Sequence, residues 1–304
     1  MLNALSGRIL GLLLAASSVP ALAAEPGVVP ANRIVNTEWL ATHSGDPDVR
    51  VLDMRYGVKF YWEGHIPGAV FLHPDALRLA DHGTPEKPMP AEILASMLGR
   101  MGIGRNTTVV IYAEEVDSLA PYLIWQLDCL GHERSAVLAC GFDKWLAEGR
   151  PSSQDYPTIT PGVYAAPVAL DASVRATKDD VKREMNTRNA VLLDVRPRAQ
   201  FTGAKGPWIR KGRIPGAVSR DWVEDMVDGA VLKDSATLSQ AYAAIGITPD
   251  KPVIVYCGKG LRSTNTWFVL KYVLGLPDVK VYDGSFSEWA ADPSLPVETG
   301  EPQN

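Results

Sequence analysis

The hydrophobic pattern in the second half of the chain predicts short buried strands alternating with helices. The runs Val191–Val195 and Val253–Tyr256 are apolar without alternation, which is typical of strands buried on both faces of a sheet. Helix-like stretches lie before, between and after them, over residues 177–186, 238–245 and 263–274. This order of elements predicts an α/β fold in which helices cover a parallel sheet.

The same pattern occurs twice along the chain. Three segments of the first half recur in the same order in the second: VLDMR at 51–55 as LLDVR at 192–196, GHIPGAV at 64–70 as GRIPGAV at 212–218, and VVIY at 109–112 as VIVY at 253–256. The second copy has seven additional residues between its first two segments, around 202–211. Two ordered copies at so long a period indicate a duplicated domain and not a solenoid.

The ends of the two copies define the domain organisation that we expect. The first domain spans residues 25–150 and the second spans 168–304. Residues 151–167 carry four prolines among Ser, Thr and Gly, a composition that favours a semi-extended linker.

The first 24 residues have the pattern of a targeting segment. Arg8 precedes a short apolar run centred on residues 12–14, and Ala-Leu-Ala-Ala follows at 21–24. These are the three parts of a cleavable secretory signal peptide. The run is shorter than the ~20 apolar residues that span a bilayer, which disfavours an uncleaved anchor. We therefore expect a periplasmic or secreted protein that has no membrane segment after cleavage.

Composition and charge exclude several classes of protein. Apolar residues make up 46% of the chain and charged residues 21%, so the chain is neither disordered nor fibrous. The 35 acidic residues outnumber the 30 basic ones without long runs of either, so nothing predicts binding to nucleic acid. Three cysteines in 304 residues cannot form a disulfide-dense scaffold.

The candidate chemistry lies at one strand-to-helix turn. Cys257 directly follows the strand 253–256, and the loop continues as Gly258-Lys259-Gly260-Leu261-Arg262 into a predicted helix. The glycines allow successive backbone N–H groups to point inward and form an anion-binding nest. The start of the helix and the two cations add positive charge, which favours thiolate over thiol. This pattern predicts a nucleophilic cysteine, Cys257, with residues 258–262 as its substrate-binding loop.

The other two cysteines fit a structural role. Cys129 lies in an apolar predicted helix, and Cys140 follows the predicted strand 136–138. These placements put the two residues too far apart for a disulfide, so we interpret both as free packing residues.

These motifs together resemble the tandem-domain rhodaneses, a family of thiosulfate and 3-mercaptopyruvate sulfurtransferases. The resemblance rests on an Asp-x-Arg strand end and a Gly-x-Ile-Pro-Gly-Ala segment in each copy, and on Cys-x4-Arg at Cys257 and Arg262. It implies two domains, each with a central five-stranded parallel sheet, of which the second is catalytic. It also implies that Cys257 accepts a sulfane sulfur as a persulfide and passes it to cyanide or a thiol.

The first copy lacks the residues that the reaction requires. Ala113 and Ser118 occupy the positions of the cysteine and the arginine, and residues 114–117 include three acids and no glycine. Acids repel both a thiolate and an anionic donor. We therefore expect the first domain to be inactive and to form one wall of the cleft.

Two other functions fit parts of this pattern. Related phosphatases and arsenate reductases use a loop one residue longer, Cys-x5-Arg, so the spacing here favours sulfur over phosphate. A sulfur carrier or redox sensor would show the same cysteine without turnover. An assay with a small donor and cyanide separates such a carrier from an enzyme.

The identity of the sulfur donor is inferred from the charged residues near Cys257. Lys259 is a cation two residues after the cysteine, as is typical of thiosulfate-type loops, and it would suit a dianion together with Arg262. Members of the family usually place an arginine where this chain has Gln200, so the contact to the donor's anionic end is either missing or supplied by another group. Arg213, joined to the Gly-x-Ile-Pro-Gly-Ala turn, is the candidate that we include among the substrate-binding residues. 3-Mercaptopyruvate is the alternative donor.

The remaining candidates have supporting roles. We expect Asp194 and Arg196 to bond local backbone groups and hold the loops rather than to act as acid and base. No metal-ligand spacing and no dinucleotide fingerprint are present, so no cofactor is predicted. The expected partners are a small sulfur donor and a thiophilic acceptor, which could be a protein.

Overall fold

A computed structural model describes residues 29–81, 83–113, 119–167, 169–227 and 231–302. The predicted signal peptide at 1–24 and most of the loop after Ala113 lie outside these residues. The described part contains two five-stranded sheets in which all pairings are parallel, each covered by helices. The predicted fold class is thus confirmed.

The first sheet has the strand order β1-β7-β6-β2-β3. Its strands are β1 (Ile34–Val35), β2 (Val49–Asp53), β3 (Val70–Phe71), β6 (Thr108–Tyr112) and β7 (Ser135–Leu138), and a separate hairpin is formed by β4 (Arg78–Asp81) and β5 (Thr84–Pro88). The helices are α1 (Thr37–His43), α2 (Val58–Glu63), α3 (Ala91–Arg100), α4 (Leu119–Cys129) and α5 (Gly141–Ala147), with a 3-10 turn at Pro74–Leu77. All five residues of β6 are buried, as its central position requires.

The second sheet has the strand order β10-β9-β13-β14-β8. Its strands are β8 (Arg175–Ala176), β9 (Val191–Asp194), β10 (Val218–Ser219), β13 (Val253–Tyr256) and β14 (Val279–Tyr282), and β11 (Met226–Val227) pairs with β12 (Val231–Leu232) in a separate hairpin. The helices are α6 (Lys178–Thr187), α7 (Arg198–Phe201), α8 (Ser235–Ala243), α9 (Arg262–Phe268) and α10 (Ser285–Ala291), with a 3-10 turn at Trp222–Asp225 and a π-helical turn at Val269–Val273.

The predicted elements of the second domain are present, with shifted ends. Helix α8 begins three residues before the predicted start because the Asp234 carboxylate accepts the Thr237 N–H at 2.9 Å and caps the helix there. The stretch predicted as one helix over 263–274 is α9 followed by the π-helical turn. Strands β9 and β13 occupy the predicted positions, with β9 ending one residue earlier.

The two domains share one apolar core. A single cluster of buried side chains contains Leu123 and Trp125 of α4 together with Cys257, Trp267 and Phe268 of the second domain. Polar contacts also cross the interface. The Trp125 Nε1–H donates to the Val174 carbonyl at 2.9 Å, and the Tyr272 hydroxyl donates to the Asp128 carboxylate. The orientation of the domains is therefore held by packing as well as by the chain connection.

The linker packs against the first domain instead of extending freely. Ser153 and His65 exchange two backbone hydrogen bonds of 2.9 Å, and the Gly162 N–H donates to the Gly99 carbonyl at 2.8 Å. Tyr164 is buried. The prolines exclude regular secondary structure here, while these bonds hold the segment against the first domain.

Candidate active site

Cys257 lies where the central strand β13 leaves the sheet. Its backbone N–H donates to the Ser285 Oγ at 3.1 Å, and its Sγ lies 4.0 Å from the same oxygen. The start of α10 also anchors the loop, since Phe286 and Ser287 donate backbone N–H groups to the carbonyls of Cys257 and Gly258. The cysteine is 1% exposed, and it lines a cavity between the two domains.

The loop leaves a row of backbone donors unused. Among the described residues, no hydrogen-bond acceptor is present for the N–H groups of residues 258–261. Successive free N–H groups next to a cysteine form a nest that can hold a negatively charged sulfur. This arrangement has the form predicted from the loop sequence.

Two glycines are required by close contacts. Gly260 has φ +84°, and a Cβ there would lie 2.4 Å from the Asp283 carbonyl oxygen. At Gly258 a Cβ would lie 2.7 Å from the Trp208 ring. Any side chain at either position would displace the loop or its support.

The cysteine opens into a cavity of about 620 Å³ between the domains. The lining residues come from the β4–β5 hairpin and the loop after β2 in the first domain, and from the second domain: Tyr56, Arg78, Pro85, Glu86, Arg196, Gln200, Pro207, Trp208, Cys257, Gly258, Lys259, Leu261, Arg262 and Ser287. A cavity of this size accommodates a small anion together with an acceptor.

The charges around the cavity come from both domains. Lys259 is exposed and its Nζ lies 2.8 Å from the Glu86 carboxylate of the first domain. Arg78, also of the first domain, lies 3.5 Å from the same carboxylate. Arg262 is exposed, with its guanidinium carbon 5.8 Å from the Trp222 ring centroid. The first domain therefore contributes charge to the site as well as a wall.

Asp194 and Arg196 form a buried ion pair in which Arg196 lines the cavity and Asp194 lies behind it. The Arg196 Nη2 donates to the Asp194 carboxylate at 2.5 Å and to the Gly212 carbonyl at 2.7 Å. The guanidinium stacks on Phe286, with its carbon 3.9 Å from the ring centroid. Burial raises the pKa of the Asp194 carboxyl, while the contacts with Arg196 lower it. The pair connects β9, the Gly-x-Ile-Pro-Gly-Ala turn and α10, which supports the Cys257 loop.

The first domain repeats this ion pair without the cysteine. Asp53 and Arg55 form the same contacts, with the Arg55 Nη2 bonded to the Gly64 carbonyl at 2.7 Å and the guanidinium carbon 4.4 Å from the Phe142 ring centroid. Ala113 stands at the end of β6, and residues 114–118 lie outside the described part. The pair is therefore a structural feature of the fold that both copies retain.

The structure brings most of the predicted site residues together. Cys257, Gly258, Lys259, Leu261, Arg262, Arg196 and Gln200 line the cavity, whereas Gly260 shapes the loop and Asp194 lies beneath it. Arg213 is not among the lining residues, which corrects its placement. Its Nη1 donates to the Gly300 carbonyl at 2.6 Å, and its guanidinium carbon lies 4.6 Å from the Phe201 ring centroid. Arg213 thus contacts the C-terminal segment and does not line the cavity that contains Cys257.

Another nearby cation is also committed to backbone groups. Arg210 donates to the carbonyls of residues 289, 290, 292 and 295. The cations that do line the cavity beside Gln200 are Arg78, Arg196, Lys259 and Arg262.

Sequence reasoning missed the first-domain residues of the cavity. Arg78 and Glu86 lie in the β4–β5 hairpin, which has no motif and no counterpart signal in the repeat. Trp208 lies within the seven-residue insertion, and the presence of this insertion only in the copy that carries Cys257 was a signal for its position at the site.

The other two cysteines are free and do not line the cavity that contains Cys257. Cys129 is buried in α4, and burial raises the pKa of its thiol. Cys140 is half-buried at the start of α5. No group of three or more potential metal ligands, and no helix long and apolar enough to cross a bilayer, occurs in the described ranges.

Comparison with known proteins finds a family and relatives that match both domains of the chain. The model of the rhodanese-like domain matches residues 36–148 and 177–292. The sulfur carrier protein TtuD of Thermus thermophilus is 35% identical over 279 residues, which cover 88% of this chain and 97% of that protein. The thiosulfate sulfurtransferase of Corynebacterium glutamicum is 32% identical over 278 residues, covering 88% of this chain and 91% of that protein.

Two solved structures are also similar to this chain in three dimensions. The anaerobic ergothioneine biosynthesis enzyme of Chlorobium limicola, in complex with trimethyl histidine, superposes with a TM-score of 0.78 at 28% identity, covering 89% of this chain and 71% of that chain. A structure of EanB with ergothioneine linked to a cysteine persulfide has a TM-score of 0.78 at 28% identity, covering 90% of this chain and 71% of that chain.

Proposed function

The chain belongs to the rhodanese family. We propose that this sulfurtransferase moves a sulfane sulfur from thiosulfate to a thiophilic acceptor such as cyanide or a thiol, and that Cys257 carries the sulfur as a persulfide between the two steps. The observation that carries the proposal is the position of Cys257 at the end of the interdomain cavity, beside four backbone N–H groups without acceptors among the described residues.

The first half of the reaction loads the cysteine. The Cys257 thiolate attacks the outer sulfur of thiosulfate, a new S–S bond forms, and the S–S bond of the donor breaks with its electron pair leaving on sulfite. The product is a Cys257 persulfide with a negative terminal sulfur. The unused N–H groups of residues 258–261 are placed to stabilise that charge.

The second half of the reaction transfers the sulfur from Cys257 to the acceptor. A nucleophilic acceptor attacks the terminal sulfur, and the S–S bond of the persulfide breaks with its electrons returning to the Cys257 sulfur as thiolate. Cyanide leaves as thiocyanate, and a thiolate leaves as a new persulfide. No net oxidation occurs over the cycle, which requires no cofactor.

Thiosulfate is favoured over 3-mercaptopyruvate by the charge of the cavity. Arg78, Lys259 and Arg262 line it against one carboxylate, Glu86, while Asp75 pairs with Arg78 and Asp194 pairs with Arg196. These groups leave the site with a net positive charge, which attracts a dianionic donor more strongly than a monoanionic one. A steady-state comparison of the two donors tests this choice.

A second function, sulfur carriage without turnover, has support of its own. The relative TtuD is named a sulfur carrier protein. A carrier would form the same persulfide at Cys257 but would require a protein acceptor to release it. Multiple turnovers with thiosulfate and cyanide would favour the enzyme, whereas a single stoichiometric loading would favour the carrier.

The nucleophile is tested by single substitutions. We expect Cys257→Ser to abolish sulfur transfer, while Cys140→Ser and Cys129→Ser retain most of it, since neither control residue lines the cavity. After donor treatment, mass spectrometry should find an addition of about 32 Da on the peptide that contains Cys257. Added sulfur on Cys129 or Cys140 instead would overturn the assignment.

Export is proposed from the sequence of residues 1–24, which has the basic start, apolar run and Ala-rich exit of a signal peptide. Determination of the mature N-terminus from the native host tests it. A chain that begins at Met1 would contradict cleavage.

A further inference from the structure

The hairpin of the non-catalytic domain carries a charged cluster that faces the catalytic loop. Glu86, on strand β5, accepts a hydrogen bond of 2.9 Å from the Lys259 ammonium through its Oε1, while its Oε2 lies 2.8 Å from the same nitrogen. Arg78, on strand β4, lies 3.5 Å from the Glu86 Oε1. One carboxylate of the first domain is thus placed between a cation of its own domain and a cation of the other.

Arg78 is buried with part of its hydrogen-bonding capacity unused. Its side chain is 9% exposed, and its Nη2 donates to Asp75 at 2.9 Å. Its Nη1 is buried without a hydrogen-bond partner among the described residues, because the Glu86 carboxylate lies beyond good bonding distance. A buried guanidinium donor that lines a cavity without a partner is costly unless a ligand completes it.

We propose that Glu86 is an internal counter-ion in the donor site, and that the anionic end of the sulfur donor displaces it to bind Arg78 and Lys259. In this arrangement, Arg78 of the non-catalytic domain supplies the grip that Gln200 cannot provide. The donor class is a dianion such as thiosulfate, and in this respect the inference rests on the proposed function. It also gives the first domain, which lacks a nucleophile, a part in substrate recognition.

The geometry explains why displacement is feasible. The Glu86 side chain is 34% exposed and the Lys259 side chain 51% exposed, so their ion pair is accessible to solvent and weak. A carboxylate carries one charge and two acceptor atoms, whereas the sulfonate end of thiosulfate has three acceptor atoms and the donor has two charges. The incoming dianion can bond both cations at once, while Glu86 accepts a hydrogen bond from Lys259 but not from the Arg78 Nη1.

The experiment measures thiosulfate binding in a protein that cannot react. In a Cys257→Ser background, calorimetry gives the dissociation constant for thiosulfate with and without Glu86→Gln. Removing the competing charge while keeping the shape should tighten binding about 3- to 10-fold, and more so at low ionic strength. Glu63→Gln is the matched control, because Glu63 forms an exposed ion pair with Lys59 in the same domain, away from the cavity.

Two further variants identify the cations involved. Arg78→Gln should weaken thiosulfate binding about 10-fold or more, since it removes a charged donor from the site. In a Lys259→Ala background the gain from Glu86→Gln should shrink, because the two residues act on one another. Steady-state assays with Cys257 intact should show that Glu86→Gln favours thiosulfate over the monoanion 3-mercaptopyruvate.

The outcomes separate this inference from the proposed function. Unchanged or weaker thiosulfate binding in Glu86→Gln, at the precision that resolves a twofold change, would overturn the inference and leave sulfur transfer intact. Tighter binding in Glu86→Gln without any persulfide on Cys257 in the otherwise native protein would instead contradict the proposed function.

Discussion

The repeated ion pair permits a test in which the protein supplies its own control. Arg196→Met removes the charge beneath the catalytic loop, and Arg55→Met removes its counterpart in the first domain. Both arginines are buried, both bond an aspartate two residues earlier, and both stack on a phenylalanine ring. Methionine keeps much of the aliphatic volume, so the change reports mainly on the lost charge and hydrogen bonds.

The expected loss in the free energy of unfolding follows from the ion pair that each aspartate loses. Asp194 and Asp53 are both fully buried, so each would be left as an unpaired carboxylate in the interior. Breaking a buried ion pair from one side costs about 3–5 kcal/mol in the free energy of unfolding. Because the contacts of the two pairs are nearly the same, we expect the two variants to lose similar stability in urea denaturation followed by tryptophan fluorescence.

The pH dependence of the Arg196→Met variant has a defined sign. Burial raises the pKa of Asp194, and in this variant the opposing contacts with Arg196 are absent. The folded-state pKa then lies above the unfolded value of about 3.9, so the unfolded state releases its proton first as the pH rises. The deficit relative to the wild type should therefore be smaller at pH 5 than at pH 8.

Activity distinguishes the two variants. Arg196 lines the cavity, and its guanidinium stacks between the rings of Trp208 and Phe286. The backbone N–H of Phe286 in turn donates to the Cys257 carbonyl. Under conditions where both variants are folded, Arg196→Met should lower kcat for sulfur transfer about 10-fold or more, which corresponds to an activation barrier higher by ~1.4 kcal/mol or more. Arg55→Met should retain near-wild-type kcat. Equal activity in the two variants, or stability losses below about 1 kcal/mol, would refute the reasoning.

Two further predictions concern the loops. Gly260→Ala should abolish most activity and destabilise the protein by more than Gly246→Ala. Both glycines have left-handed φ angles, +84° and +82°, but of the two only Gly260 would place a Cβ against the Asp283 carbonyl. Equal losses in the activity assay and in urea denaturation would show that this contact is unimportant. Ala113→Cys in a Cys257→Ser protein should show no sulfur transfer in the thiosulfate–cyanide assay, since three acids follow within residues 114–117. Measurable turnover there would contradict the electrostatic interpretation of the first loop.

The sequence by itself determined the fold class, the duplication and the position of Cys257 at a strand-to-helix turn. Apolar runs such as Val253–Tyr256 specify buried parallel strands because burial on both faces leaves no polar alternation. The glycines and cations around Cys257 specify an anion-binding turn through local backbone geometry alone. Each of these conclusions rests on residues that are close together in the chain, where sequence spacing and spatial distance agree.

Only the tertiary structure decided which distant residues complete the site. Arg78 and Glu86 are separated from Cys257 by more than 170 positions and reach it because helices α4 and α9 pack the two domains around one core. Arg213, which the sequence placed near the donor, instead bonds Gly300, because its turn faces the C-terminal segment. Charge and spacing indicate what a side chain can bind, but the direction in which it points depends on the packing of residues far away in the chain.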